Sequence, residues 1–253
     1  MTEDNKEESV AESFISHLVE LRDRIVRAGG AVLLLFACMM PWSGRIYDIL
    51  AHPMMAALPP GAKMIATGVL TPFMVPLKVT LLAAFVIALP WVLYQAWAFV
   101  APGLYAHEKR LIAPLVVSST VLFMAGIAFC YFFVFSVVFK VIREWAPESA
   151  NYAPDIESYF DFALTMFIAF GLTFEVPIVV VVLVRMGLIS VQKLKEFRPY
   201  IIVGAFVVAA IVTPPDAASM LMLAIPLWLL FEAGLLVAPL FVKMTQAPEE
   251  ESA

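Results

Sequence analysis

The chain has 253 residues, of which 62% are hydrophobic and 15% charged, and its mean hydropathy is +0.92. Soluble domains lie nearer half apolar and a quarter charged, and disordered chains carry more charge and fewer bulky apolar side chains, so both classes are excluded. The apolar residues come in blocks of about 20, the length that crosses a hydrocarbon core of ~30 Å, which makes this an all-α membrane protein. The net charge of −5 sits mostly in the ends, as Glu3, Asp4, Glu7, Glu8 and Glu12 and as Glu249, Glu250 and Glu251. Residues 1–13 and 243–253 therefore read as flexible tails around a single membrane domain over 14–242. There is no basic stripe to bind nucleic acid. Cys38 and Cys130 fall inside apolar blocks, fit no metal spacing, and read as small packing residues. No cleavable signal peptide is expected, because the first apolar block follows an acidic head.

That first block runs from Ile25 to Trp42, behind an amphipathic helix over His17–Arg27 whose Phe14, Leu18, Leu21 and Ile25 recur at helical spacing. Two long outer segments are expected, over 43–78 and 140–161. The first contains Ile46, Tyr47, Ile49, Leu50 and Met54 around Arg45 and Asp48, an amphipathic helix pattern, and its Pro53, Pro59, Pro60 and Pro72 predict a compact cap. A second apolar block covers Val79–Val100, interrupted by Pro90 and Gln95. The third, Leu111–Phe139, is 29 residues without a charge, roughly 43 Å of helix that must tilt or protrude. The fourth, Phe162–Val184, contains one acid, Glu175. Tyr200–Val212 offers only 13 apolar residues before Thr213-Pro214-Pro215-Asp216, and Ala217–Val242 completes the set.

The short fifth block reaches about 18 residues if Glu196–Thr213 is included, enough to cross a thinned bilayer. Six spans is the preferred count, with five spans plus a re-entrant hairpin as the alternative. In the six-span arrangement eleven of the sixteen lysines and arginines fall on one side, which puts both termini in the cytoplasm.

Glu175 is the strongest single site candidate. A mid-membrane carboxyl is costly when ionised and alone, so it faces a cavity or a partner, or packs by hydrogen bonding to a neighbouring helix. Phe167, Phe170 and Phe174 beside it read as a packing stripe. Glu232, 11 residues before Lys243, reads as snorkelling or internally hydrogen-bonded. On the cytoplasmic face, Glu20 and Arg22 stand on the polar side of the entry helix, and Glu108 follows Pro102-Gly103-Leu104-Tyr105. An isolated carboxylate beside aromatic residues suits a guanidinium, which binds it bidentately. Equally, Glu20 could pair with a neighbouring arginine and Glu108 with Lys109 or Arg110. No HExxH, GxSxG or P-loop motif occurs and the three histidines are scattered, so no catalytic residue, metal site or cofactor is expected.

Five motifs in order resemble the TatC family, the core subunit of the twin-arginine protein translocase. They are His17-Leu18-Val19-Glu20-Leu21-Arg22-Asp23-Arg24, then Gln95 to Tyr105 with Glu108, Phe170 to Pro177, Arg198-Pro199-Tyr200 and Thr213 to Asp216. The resemblance covers Phe14 to Val242. It implies a glove-shaped, concave six-helix bundle with short last two helices, in the bacterial inner membrane. Its implied function is to receive signal peptides with paired arginines and export folded proteins on the proton gradient. The implied partners are the single-span subunits TatA and TatB, further TatC copies and membrane lipids. By position, Glu108 matches the carboxylate that contacts the arginine pair, and Glu20, with Leu21 and Arg22 beside it, a second contributor. Phe99 matches a sensitive aromatic, and Glu175 the intramembrane acid that meets a partner helix. Pro53 supports the cap, Asp216 caps the outer turn, and Met220 departs from a polar residue often found at its position. A proton-coupled secondary transporter of a small solute is the alternative, since broken helices and a midplane acid also mark that class. It predicts repeat symmetry and several polar residues per span, which this chain does not show.

Overall fold

The computed structural model describes residues 4–58, 63–100, 112–145, 153–213 and 217–245. Helix α1 runs Asp4–Met39, already helical within the stretch that the sequence assigns to a tail. A short 3-10 turn over Met40–Trp42 leads into α2, Ser43–Ala57. Helices α3, Thr71–Val100, and α4, Ile112–Phe129, follow. A wider π-turn over Cys130–Val134 joins α4 to α5, Phe135–Trp145. Helix α6 spans Ile156–Arg185, α7 Val191–Glu196, α8 Arg198–Val212 and α9 Ala217–Thr245. Glycine's tolerance of positive φ matters at Gly187, whose φ of 69° ends α6.

The expected outer segments are thus mostly helical. Pro72 is tolerated in the first turn of α3, where its missing N–H costs nothing, so that helix starts eight residues before the apolar block. Five helical runs among the described residues are long and apolar enough to cross a membrane: Ile15–Ala56, Thr71–Val100, Ile112–Glu144, Ile156–Arg185 and Ser219–Pro239. Helix α8, at 15 residues, is apolar but shorter than these. Large apolar side chains such as Leu34, Phe132, Ile211 and Leu236 remain exposed on the helix surfaces, as lipid-facing residues do.

The chain forms two compact units. One comprises Met1–Pro41 with Thr80–Thr120, the other Trp42–Val79 with Val121–Ala253. In the first, the Trp97 indole donates to Ser119 Oγ (2.9 Å) and the Trp91 indole to the Arg27 carbonyl (3.4 Å), tying α3 to α4 and to α1.

The second unit is built on aromatic and glycine packing. Phe135, Phe160 and Phe170 are fully buried, and Phe129 meets both Phe170 and Phe174 at 5.8 Å between ring centroids. A Cβ on Gly126 would lie 2.5 Å from the Phe170 carbonyl oxygen, and one on Gly171 2.4 Å from the Phe123 ring; only hydrogen fits at either seam between α4 and α6. Gly234 lets α9 approach Pro177 of α6 in the same way. Val180, Leu194, Phe231, Leu235 and Ala238 close the packing of α6, α7 and α9.

The cap segments belong to this unit. Pro53 lies inside α2 and has no N–H, which deprives the Ile49 carbonyl of its ordinary helical donor. Tyr131, in the π-turn, supplies the missing hydrogen bond through its hydroxyl at 2.9 Å, and Tyr159 donates to the Leu50 carbonyl at 2.6 Å. Farther along, Ile65 bridges by backbone to the start of α6, accepting from Ile156 N–H (2.8 Å) and donating to Pro154 (3.0 Å). Asp155 caps α6 by accepting from Ser158 N–H and also takes hydrogen bonds from the Thr67 N–H and hydroxyl. Lys78 completes the tie, with Glu157 at 3.3 Å and Asp161 at 2.8 Å.

Candidate functional site

In the first unit, two motifs about 70 residues apart in sequence meet at the end of the amphipathic helix. Glu20 Oε1 accepts from Arg24 Nε at 2.9 Å and Nη2 at 2.6 Å, and Arg24 Nη1 reaches Gln95 Oε1 at 3.4 Å. The second Glu20 oxygen, Oε2, lies 3.9 Å from His17 Nδ1. The His17 imidazole is stacked on the Phe99 ring, with centroids 4.2 Å apart and planes 17° from parallel. Glu20 and Phe99 are therefore joined through His17. Arg22 pairs with its neighbour Asp23 at 2.8 Å and is strongly exposed. Leu21 is half-buried, while Leu18 and Ile25 of the same apolar stripe are exposed.

The carboxylate of Glu20 thus has its neighbouring arginine, as one of the two sequence readings has it, yet that arginine occupies a single oxygen. The sequence gives no role to His17, Arg24 or Gln95. For Gln95 a signal was present: an amide interrupting an apolar span is costly unless bonded. Gln95 is 4% exposed, and Arg24 is its partner. Glu108 and its loop lie outside the described residues, as do Asp216 and the Pro-Pro pair.

The other candidate acid stands in the second unit. Glu175 is 7% exposed on α6, one turn beyond Gly171 and two residues before Pro177. Pro177 withholds the N–H that the Thr173 carbonyl would receive, so a buried carboxyl and a released carbonyl share one turn. Phe167 and Phe170 are buried in the ring cluster, the packing role the sequence gives them. Glu232 accepts from Arg198 Nη2 at 2.6 Å, so the internal bond expected for it is present. Met220 is half-buried in the first turn of α9, beside the fully buried Ser219. Pro53 is half-buried at the Ile49–Tyr131 contact. No group of three or more metal-binding side chains gathers among the described residues.

Comparison with known proteins agrees with these motifs. Residues 16–226 match the model of the family described as Sec-independent protein translocase protein (TatC). The TatC protein of Haemophilus influenzae is 49% identical over 96% of this chain and 93% of its own length, and that of Escherichia coli K12 is 44% identical over 93% and 92%. A crystal structure of the twin arginine translocase receptor TatC superposes with a TM-score of 0.78 at 36% identity, covering 88% of this chain and 98% of that one. The secondary-transporter alternative finds no support in any of these. With long apolar helices and matches that run nearly end to end, the chain belongs to the TatC family of Sec-independent protein translocase proteins and is a multi-pass protein of the bacterial inner membrane.

Proposed function

We propose that this chain is the signal-peptide receptor of the twin-arginine translocase and that it receives the paired arginines at Glu20 and Glu108. Leu21, Arg22 and Phe99 complete the site. The observation that carries this reading is the meeting of the 17–24 and 95–99 motifs through Arg24–Gln95 and His17–Phe99. That contact puts an acid and two aromatic rings at one exposed place, and such a place suits a guanidinium in charge and in shape. Two charge-assisted contacts, one to each carboxylate, hold the pair, and the planar fork of the guanidinium, not its charge, distinguishes arginine from lysine.

The receptor acts within a six-span topology in which α8 crosses as a short span and both termini face the cytoplasm. The distribution of lysine and arginine supports this orientation. The bundle is concave, and the apolar part of the signal slides along it near α8, whose 15 residues thin the bilayer; α9, at 29 residues, is not the second short helix that the resemblance implies. Single-span TatA and TatB helices and further copies of the chain complete the assembly, which exports folded proteins at the expense of the proton gradient. Glu175 offers a hydrogen bond to a partner helix entering from lipid, with Met220 as a packing contact. Pro53 and Asp216 hold the cap and the outer turn.

Binding of a twin-arginine peptide and its twin-lysine version to the purified complex tests the first step. The arginine form binds more tightly, and Glu20→Gln and Glu108→Gln each reduce that preference; equal affinities for the two peptides overturn the reading. Export of a folded reporter, in cells lacking their own copy, tests the second. Glu175→Ala abolishes export there while leaving peptide binding intact.

A further inference from the structure

The stacked His17–Phe99 pair is not a core contact: half of the His17 side-chain surface is exposed. What it does provide is a flat, ordered π surface beside a carboxylate oxygen. Meanwhile Arg24 is held through three of its nitrogens, two on Glu20 Oε1 and one on the buried Gln95 amide. Both contacts hold its guanidinium against Oε1. The remaining acceptor, Oε2, is the one next to His17.

This arrangement has an electrostatic consequence. Glu20 and Arg24 together are neutral, so Glu20 exerts little net pull on an arriving cation, and a lysine would be drawn as weakly as an arginine. Discrimination at this carboxylate must come from something that distinguishes the two side chains other than charge. A guanidinium is planar and weakly hydrated and stacks on aromatic faces; an ammonium is a compact, strongly hydrated point charge without a plane. A guanidinium lying on the open face of the His17 ring would have Oε2 at its edge.

We propose that His17, backed by Phe99, is the stacking platform on which one guanidinium of the pair lies, and that it sets the preference for arginine over lysine. The inference rests on the reading of Glu20 as an arginine acceptor. Phe99 holds the imidazole in place from behind and contributes through it.

The test is equilibrium binding of twin-arginine and twin-lysine signal peptides to the full chain in its complex. The variants are His17→Leu, His17→Phe and Glu20→Gln, with folding of each checked by its thermal midpoint. Stacking on an exposed ring corresponds to a few-fold to about tenfold in affinity. His17→Leu therefore weakens the arginine peptide by roughly that factor and leaves the lysine peptide unmoved, and His17→Phe, which restores a flat ring, recovers most of the loss. An unchanged arginine-to-lysine ratio in His17→Leu overturns the platform, as does a loss in His17→Phe as deep as in His17→Leu. If Glu20→Gln leaves the arginine peptide unaffected, the acceptor reading itself falls. If Glu20→Gln weakens binding and His17→Leu does not, only the platform falls.

Discussion

Glu20 and Glu175 are both acids on helices of a membrane protein, and the fold treats them in opposite ways. Among the described residues Glu20 meets polar partners partly open to water: the Arg24 ion pair, whose guanidinium also reaches the Gln95 amide, and a half-exposed imidazole. Glu175 is buried on α6, one turn beyond Gly171, in a unit whose seams at Gly126 and Gly171 admit no extra methyl group. Contacts of the first kind can be exchanged for those of a ligand at small net cost, because water and the ligand compete for the same groups. Contacts of the second kind cannot be rearranged without leaving a void or a clash. On the proposed reading, recognition belongs to the first setting, and control over which helix approaches a buried acid belongs to the second.

The contrast is sharpest at the glycines. Gly126→Ala puts a methyl against backbone that cannot move aside, and should cost about 1–3 kcal/mol, lowering the thermal midpoint of the detergent-solubilised chain. Gly29→Ala, in the other unit, meets nothing within 4 Å and should be neutral or stabilising by up to about 1 kcal/mol. Equal losses at both positions would erase the distinction.

A smaller effect is expected at the cap. Tyr131→Phe removes the donor to the Ile49 carbonyl and should cost about 0.5–1.5 kcal/mol. In a Pro53→Ala background the restored amide can serve that carbonyl, so the same Tyr131→Phe change should cost less; a double-mutant cycle of thermal midpoints reads the coupling. Smaller again is Glu232→Gln. Its partner Arg198 is 44% exposed, and solvent screening limits the pair to about 0–1 kcal/mol.

The smallest effect is confined to acid. The Ser158 N–H, then the Thr67 hydroxyl, hold the Asp155 carboxyl at about 2, below its ordinary 3.8. A depressed carboxyl stabilises the fold above its unfolded value and loses that contribution as pH falls through its folded one. The midpoint difference between wild type and Asp155→Asn should therefore be constant above about pH 5 and shrink as pH falls through 3.8 toward 2. A difference that grows in that window would reverse the sign.

Much of the architecture was legible in the sequence because lipid imposes a simple rule: backbone polar groups must be satisfied within the helix, so apolar runs become helices. The long spans, the α2 pattern around Arg45 and Asp48 and the ring stripe at Phe167 and Phe170 were visible in that way; for Glu232 an internal bond was one of two readings, and its partner Arg198 emerges only in the fold. Helix ends were not. Thr71 to Lys78 is only moderately apolar and was assigned to a loop, and Asp155 is recognisable as a cap only once Ser158 and Thr67 are seen around it. The site was half legible. Glu20 and Phe99 stood out by type and motif, whereas His17, Arg24 and Gln95 acquire meaning through contacts between residues about 70 positions apart, which no local pattern encodes.

One consequence follows from the arginine already resting on Glu20. In the proposed orientation Glu20 faces the cytoplasm, which is crowded with basic tails that belong to other business, and a naked acid there would collect them all. A doorway that carries its own counter-ion casts almost no field into its surroundings. A receptor built as proposed would stay unclogged between visitors and admit only those whose shape does what their charge alone cannot.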